Sequence, residues 1–150
     1  MTAPPPPSAG NDAARGRLSR SAPAMKSVSV LVVDDDDDIR EVIAEILIDS
    51  SYTVVTARNG VEALELLEVT IPALIILDLN MPVMDGVAFR RLQQQHPELA
   101  RIPTIAMSAV YRMQEQIADL GFQHALAKPV ELRDLLEVVA RYCKTTSSRP

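Results

Sequence analysis

The chain has 150 residues, 47% hydrophobic and 23% charged, enough for one globular domain with a sizeable core, and aromatics at 3% make that core aliphatic. A net charge of −5 argues against nucleic-acid binding, which needs Lys and Arg to displace counterions from phosphates. The single cysteine, Cys143, excludes an internal disulfide framework, no apolar run approaches the ~18 residues of a membrane span, and the N-terminus lacks a signal-peptide layout. The expectation is a soluble cytoplasmic protein that neither enters membranes nor binds nucleic acid.

In chain order, residues 1–26 (MTAPPPPSAGNDAARGRLSRSAPAMK) set Arg15, Arg17, Arg20 and Lys26 against Asp12 and have almost nothing to bury. Four successive prolines favour extended polyproline II, so this segment is predicted to be a disordered Pro/Ala/Arg-rich tail. An Arg-rich transit peptide is the alternative, which the prolines fit poorly because such peptides need an amphipathic helix. SVSVLVV (27–33) reads as a buried strand, and five aspartates, Asp34 to Asp38, follow it directly. Ile39, Val42, Ile43, Ile46 and Leu47 then recur at the spacing of one helix face. YTVVTA (52–57) is a second strand, and VEALELLE (61–68) a helix with Glu62, Glu65 and Glu68 outward. ALIILD (73–78) is the most hydrophobic strand, after the breaker Pro72. Asp85 to about Gln95 is helical, and IPTIAMS (102–108) is a fourth strand. Met113, Ile117 and Leu120 mark a helix ending at Gly121, a natural cap. HALA (124–127) is a short fifth strand. ELRDLLEVVARYC closes the domain with Leu132, Leu135, Leu136 and Val139 on one face, and Cys143 reads as a partly buried thiol. The folded body spans 27–144, and 145–150 form a short disordered end.

Five βα units with near-continuously apolar strands predict an α/β fold, a doubly wound five-stranded parallel sheet with helices on both faces. Ligands in such folds sit at the carboxyl ends of the strands. Asp34 and Asp35 end the first strand, Asp78 the third, Ser108 the fourth, and Lys128 the fifth, so four distant stretches deliver polar groups to one sheet edge.

The five carboxylates divide by position. Asp38, with Glu41 three residues on, forms a capping box and is expected to be the N-cap. Asp36 and Asp37 lie at the helix start, where negative charge is favoured, and are expected to be solvated. Asp34 and Asp35 face Asp78, and three converging carboxylates would repel one another unless a cation intervened. Carboxylates with waters and a backbone carbonyl suit Mg²⁺. An EF-hand loop fits Asp34, Asp36, Asp38 and Glu45 but puts Ile39 where the turn glycine is needed. A flavin-phosphate site would want Ser, Thr or Gly donors after the first strand, where five aspartates would repel the phosphate. A haloacid-dehalogenase-type phosphatase would want an Asp two residues after the nucleophile, where Asn80 stands. Taken alone, Lys128 reads first as a surface lysine snorkelling from a strand end, and Ser108 as a strand-end serine capping the next helix.

The segments VLVVDDDDDIR, LDLNMPVMDG, MSA and AKP, in this order and at these spacings, resemble the receiver domain of two-component response regulators over about 27–144. The likeness is to the stand-alone, chemotaxis-regulator-like kind. It implies a (βα)5 flavodoxin-like fold with strand order 2-1-3-4-5 and Asp78 as phosphoacceptor from a sensor histidine kinase or histidine phosphotransfer protein. It implies Mg²⁺ held by Asp35, Asp78 and the Asn80 backbone carbonyl, with Asp34 acting mainly through a water. Lys128 and Ser108 would attend the phosphoryl oxygens, and the Lys128–Pro129 bond is expected to be cis. The chain departs from the family at Ala125, three residues before the lysine, where Tyr or Phe is usual. On this reading the chain is a receiver without an output domain, signalling through an unknown downstream protein partner rather than acting as an enzyme on a separate substrate. It would catalyse its own phosphorylation and dephosphorylation. A phosphorylation-independent interaction module with the same fold is the alternative.

Overall fold

A computed structural model describes residues 29–108 and 119–143. Five parallel strands form one sheet: β1 (Ser29–Val33), β2 (Thr53–Ala57), β3 (Leu74–Asp78), β4 (Thr104–Ser108) and β5 (His124–Ala127), in the order β2-β1-β3-β4-β5. The helices are α1 (Asp37–Asp49), α2 (Gly60–Leu67), α3 (Gly86–Gln94), the short α4 (Pro97–Ala100) and α5 (Leu132–Cys143). Every residue of the central strands β3 and β4 is buried, whereas the edge strands β2 and β5 are only partly covered. Full burial on both faces is why the central strands read as unbroken apolar runs.

Alternation along each strand divides the core in two. Leu31, Val33, Ile75 and Leu77 pack with Ala63 and Leu67 of α2 and Phe89 of α3. Val30, Val32, Ile76 and Met107 pack with Ile43 and Leu47 of α1 and with Leu135, Val138 and Val139 of α5. Each large aliphatic side chain buried in this way contributes about 1.5–3 kcal/mol, so these helix faces hold the sheet from both sides.

Several expectations need correction. The N-cap of α1 is Asp36, not Asp38: its carboxylate accepts from the Asp38 and Ile39 amides at 2.9 and 3.2 Å. The cause lies just upstream, where Asp34 Oδ1 accepts the Asp36 amide at 2.9 Å and turns the chain so that Asp36 is the last non-helical residue. Leu132 does not share the buried face of α5 and is 54% exposed, since it sits in the first turn before the helix meets the sheet. Cys143 is fully rather than partly buried, and burial pushes its thiol up to about 11, which leaves it protonated and unreactive. The α4 turn, with Pro97 at its start, interrupts the stretch between α3 and β4. The N-terminal tail, most of the helix expected to carry Met113 and Ile117, and the C-terminal end from 144 lie outside the described residues. Asp119 and Leu120 are helical, and Gly121 after them takes φ +68°, the left-handed conformation of a helix stop.

Candidate functional site

Strand register gathers the site. Val33 pairs with Leu77, so the residue after β1, Asp34, comes level with Asp78 at the end of β3. Asp78 pairs with Met107, and Ser108 with Ala127, which places Ser108 and Lys128 at the same carboxyl edge. One carboxylate oxygen each from Asp34, Asp35 and Asp78 lies within 4.8 Å of the others. Asp34 and Asp78 are 0% and 2% exposed, while Asp35 opens to solvent. Lys128 Nζ sits between the two buried acids, 3.1 Å from Asp34 Oδ2 and 3.2 Å from Asp78 Oδ2. The Lys128 amide donates to the Ser108 carbonyl at 2.9 Å, tying β4 to β5 beneath the cluster. The Lys128–Pro129 bond is cis.

The segment after β3 is bent tightly against the acid. The Asn80 amide donates to Asp78 Oδ1 at 3.1 Å, and the Gly86 amide to the Leu79 carbonyl at 3.2 Å. A Cβ on Gly86 would lie 2.4 Å from the Asp78 carbonyl oxygen, so only glycine lets α3 begin this close to the strand end. Asp85 then caps α3, accepting from the Ala88 amide at 2.8 Å. Asn80 itself is exposed and joins the cluster through its main chain.

Electrostatics follow from this crowding. Burial, opposed by the Asn80 hydrogen bond and reinforced by the neighbouring Asp34, pushes the Asp78 carboxyl up to about 6. Burial works to lower the Lys128 pKa, but the two carboxylates outweigh it and the net shift is upward. One lysine therefore serves two buried acids. Asp34 Oδ2 meets only the Lys128 ammonium, at 3.1 Å, and takes no further hydrogen bond among the described residues. A buried carboxylate oxygen with an unmet lone pair, beside two further carboxylates, fits a hard divalent cation taking oxygen ligands.

Asp34, Asp35, Asp78, Asn80, Ser108 and Lys128, all singled out in the sequence, lie together at this edge. Sequence reasoning missed Arg40, whose guanidinium donates to the Asp34 main-chain carbonyl at 2.8 Å and to the Asp37 carboxylate at 2.5 Å. The available signal was the spacing of Asp37 and Arg40, which puts them on neighbouring positions of one helical turn.

Comparison with known proteins gives a consistent result. The family model described as the response regulator receiver domain matches residues 30–140. The response regulator MprA of Mycobacterium ulcerans is 38% identical over 73% of this chain and 47% of its own length, so the chain spans about half of that relative. The chemotaxis response regulator CheY4 of Vibrio cholerae superposes with a TM-score of 0.72 at 30% identity, covering 77% of this chain and 98% of that one. The receiver domain of a Pseudomonas aeruginosa sensor histidine kinase, with a magnesium ion coordinated in its active-site cleft, gives 0.71 at 26% identity, covering 77% and 97%.

Proposed function

The chain belongs to the response regulator receiver domain family of two-component signalling, and from that premise we propose that Asp78 accepts a phosphoryl group from a histidine phosphodonor in a Mg²⁺-dependent reaction. The observation that carries the reading is the buried Asp34–Lys128–Asp78 constellation, with an oxygen of Asp35 in reach of the other acids. Asp34, Asp35, Asp78 and the Asn80 carbonyl would hold the ion, in keeping with the magnesium of the Pseudomonas aeruginosa relative. An Mg²⁺ ion held there would neutralise charge on the acids and on the incoming phosphoryl oxygens.

The protein groups supply the rest. An Asp78 carboxylate oxygen attacks phosphorus, a P–O bond to Asp78 forms, the P–N bond to the donor histidine breaks, and the imidazole leaves with the bonding pair. Lys128, freed from its contact with Asp78 as that oxygen becomes esterified, pairs with a phosphoryl oxygen instead. Ser108, at the end of β4 beside the Asp78 register partner Met107, offers a hydroxyl donor to another. Hydrolysis of the acyl phosphate by water would return Asp78 and release phosphate. Among the described residues no helix is long and apolar enough to cross a membrane; a cytoplasmic setting, where a sensor kinase presents its phosphohistidine, suits this chemistry. The phosphorylated form would act through contacts with a protein partner.

The reading is tested by incubating the chain with acetyl phosphate and following intact mass. One phosphoryl adduct that needs Mg²⁺ and is removed by hydroxylamine is the expected result. No adduct with Mg²⁺ present would favour an interaction module that works without phosphorylation.

A further inference from the structure

Arg40 has no part in the chemistry above, yet it is held as though it had one. It stands in the first turns of α1 with its side chain only 11% exposed, although a guanidinium at a helix start could reach water freely. One of its nitrogens donates to the Asp34 main-chain carbonyl and another to the Asp37 carboxylate. The Asp34 carbonyl belongs to the peptide plane that carries the Asp35 amide, so holding that oxygen fixes the plane from which Asp35 projects. Either side of Asp35 is anchored too: the Asp34 amide donates to the Ala57 carbonyl at 3.2 Å, and the Asp36 amide to Asp34 Oδ1 at 2.9 Å. The Asp35 carboxylate itself is exposed and has no side-chain hydrogen bond among the described residues. Its placement comes from its backbone, and Arg40 is the side chain that grips that backbone.

Resting on the metal-binding reading above, we propose that Arg40 is a positioning residue for the divalent cation. Its guanidinium bridges Asp34 and Asp37 and so presents the Asp35 carboxylate to an ion shared with Asp34 and Asp78. Arg40 is also a positive charge near that ion, and the two roles predict opposite outcomes. Were charge its whole effect, removing it would tighten Mg²⁺ binding. If positioning dominates, removing it weakens binding, and lysine does not rescue, because a single ammonium cannot reproduce a planar fork held at two acceptors.

The experiment is a calorimetric Mg²⁺ titration of the whole chain as wild type, Arg40→Gln, Arg40→Lys and Asp37→Asn, with circular dichroism and metal-free melting recorded for each. Both Arg40 variants are expected to bind Mg²⁺ about tenfold more weakly, the size of effect typical of residues that orient metal ligands. Asp37→Asn, which loosens one arm of the bridge, should fall between them and wild type. Wild-type or tighter binding by Arg40→Gln, or full rescue by Arg40→Lys, would overturn the proposal. Should the Arg40 variants fail to fold, Asp37→Asn decides alone, and unchanged affinity there overturns it. A wild-type chain that binds no Mg²⁺ would instead overturn the metal reading on which the proposal stands.

Discussion

Asp78 is the residue at which stability and function pull apart. With its carboxyl raised to about 6, Asp78 holds its proton more tightly in the folded metal-free protein than in the unfolded chain. The stabilisation from that preference is complete below the ordinary carboxylate range and is lost as pH rises through about 6. Removing the charge by Asp78→Asn should therefore raise the melting temperature of the metal-free protein at neutral pH, by about 1 kcal/mol or more in stability. On the metal reading proposed above, Mg²⁺ would bind the ionised acids, so its effect on melting should be large at about pH 7.5 and small at about pH 5. Thermal melts with and without Mg²⁺ at the two pH values check both points. Val83 is a second residue out of balance. It takes φ +68°, costly for a β-branched side chain, and is 80% exposed, so packing within the chain offsets little of the strain. Val83→Asn, a residue that tolerates this conformation, should raise stability by about 0.5–1 kcal/mol in urea unfolding.

Helix α3 is joined to the β4–β5 side by a buried cation that has no acid partner among the described residues. The Arg90 guanidinium donates to the Leu120 and Gly121 carbonyls at 2.9 and 2.8 Å, to Gln93 Oε1 at 2.8 Å and to Thr104 Oγ1 at 3.2 Å. Its carbon centre lies 5.3 Å from the Phe122 ring centroid. Neutral carbonyls at a helix end suit a cation, which completes their hydrogen bonding and meets the helix dipole favourably. Arg90→Met should cost about 2–4 kcal/mol in denaturant unfolding, because it strands several buried acceptors at once. At the far edge, β5 carries Ala125 where the family resemblance leads one to expect an aromatic, and this small side chain, paired with Ala106 of β4, packs against the core. It has no bulk to move when Ser108 is drawn toward a phosphoryl oxygen. A beryllofluoride mimic should therefore shift NMR resonances strongly after β1, β3 and β4 but only modestly along α5. Large cooperative shifts through 122–142 would show that another residue has taken over the coupling.

For the molecule as a whole, the architecture was legible because apolar strand-length runs alternate with helical periodicity, and parallel sheets bury both faces of their strands. The candidate site was legible for a related reason: in this architecture a polar residue at the end of a buried strand has one edge to go to, and Asp34, Asp78, Ser108 and Lys128 all end or directly follow strands. What the sequence did not reveal depends on contacts between distant segments. Five consecutive aspartates offer several equivalent caps, and the Asp34 turn that selects Asp36 is a tertiary matter. Nothing local in the sequence marks Arg90 and Gln93 as buried, because the groups that accept their hydrogen bonds lie on distant segments, at Leu120, Gly121 and Thr104. The central claim is that one particular carboxylate, Asp78, takes the phosphoryl group. Reduction by borohydride after acetyl phosphate treatment converts an aspartyl phosphate to homoserine, which peptide mass spectrometry can locate. Homoserine at position 78, formed only with Mg²⁺ and absent from Asp78→Asn, is the predicted result; homoserine at Asp34 or Asp35, or at no position, would contradict it.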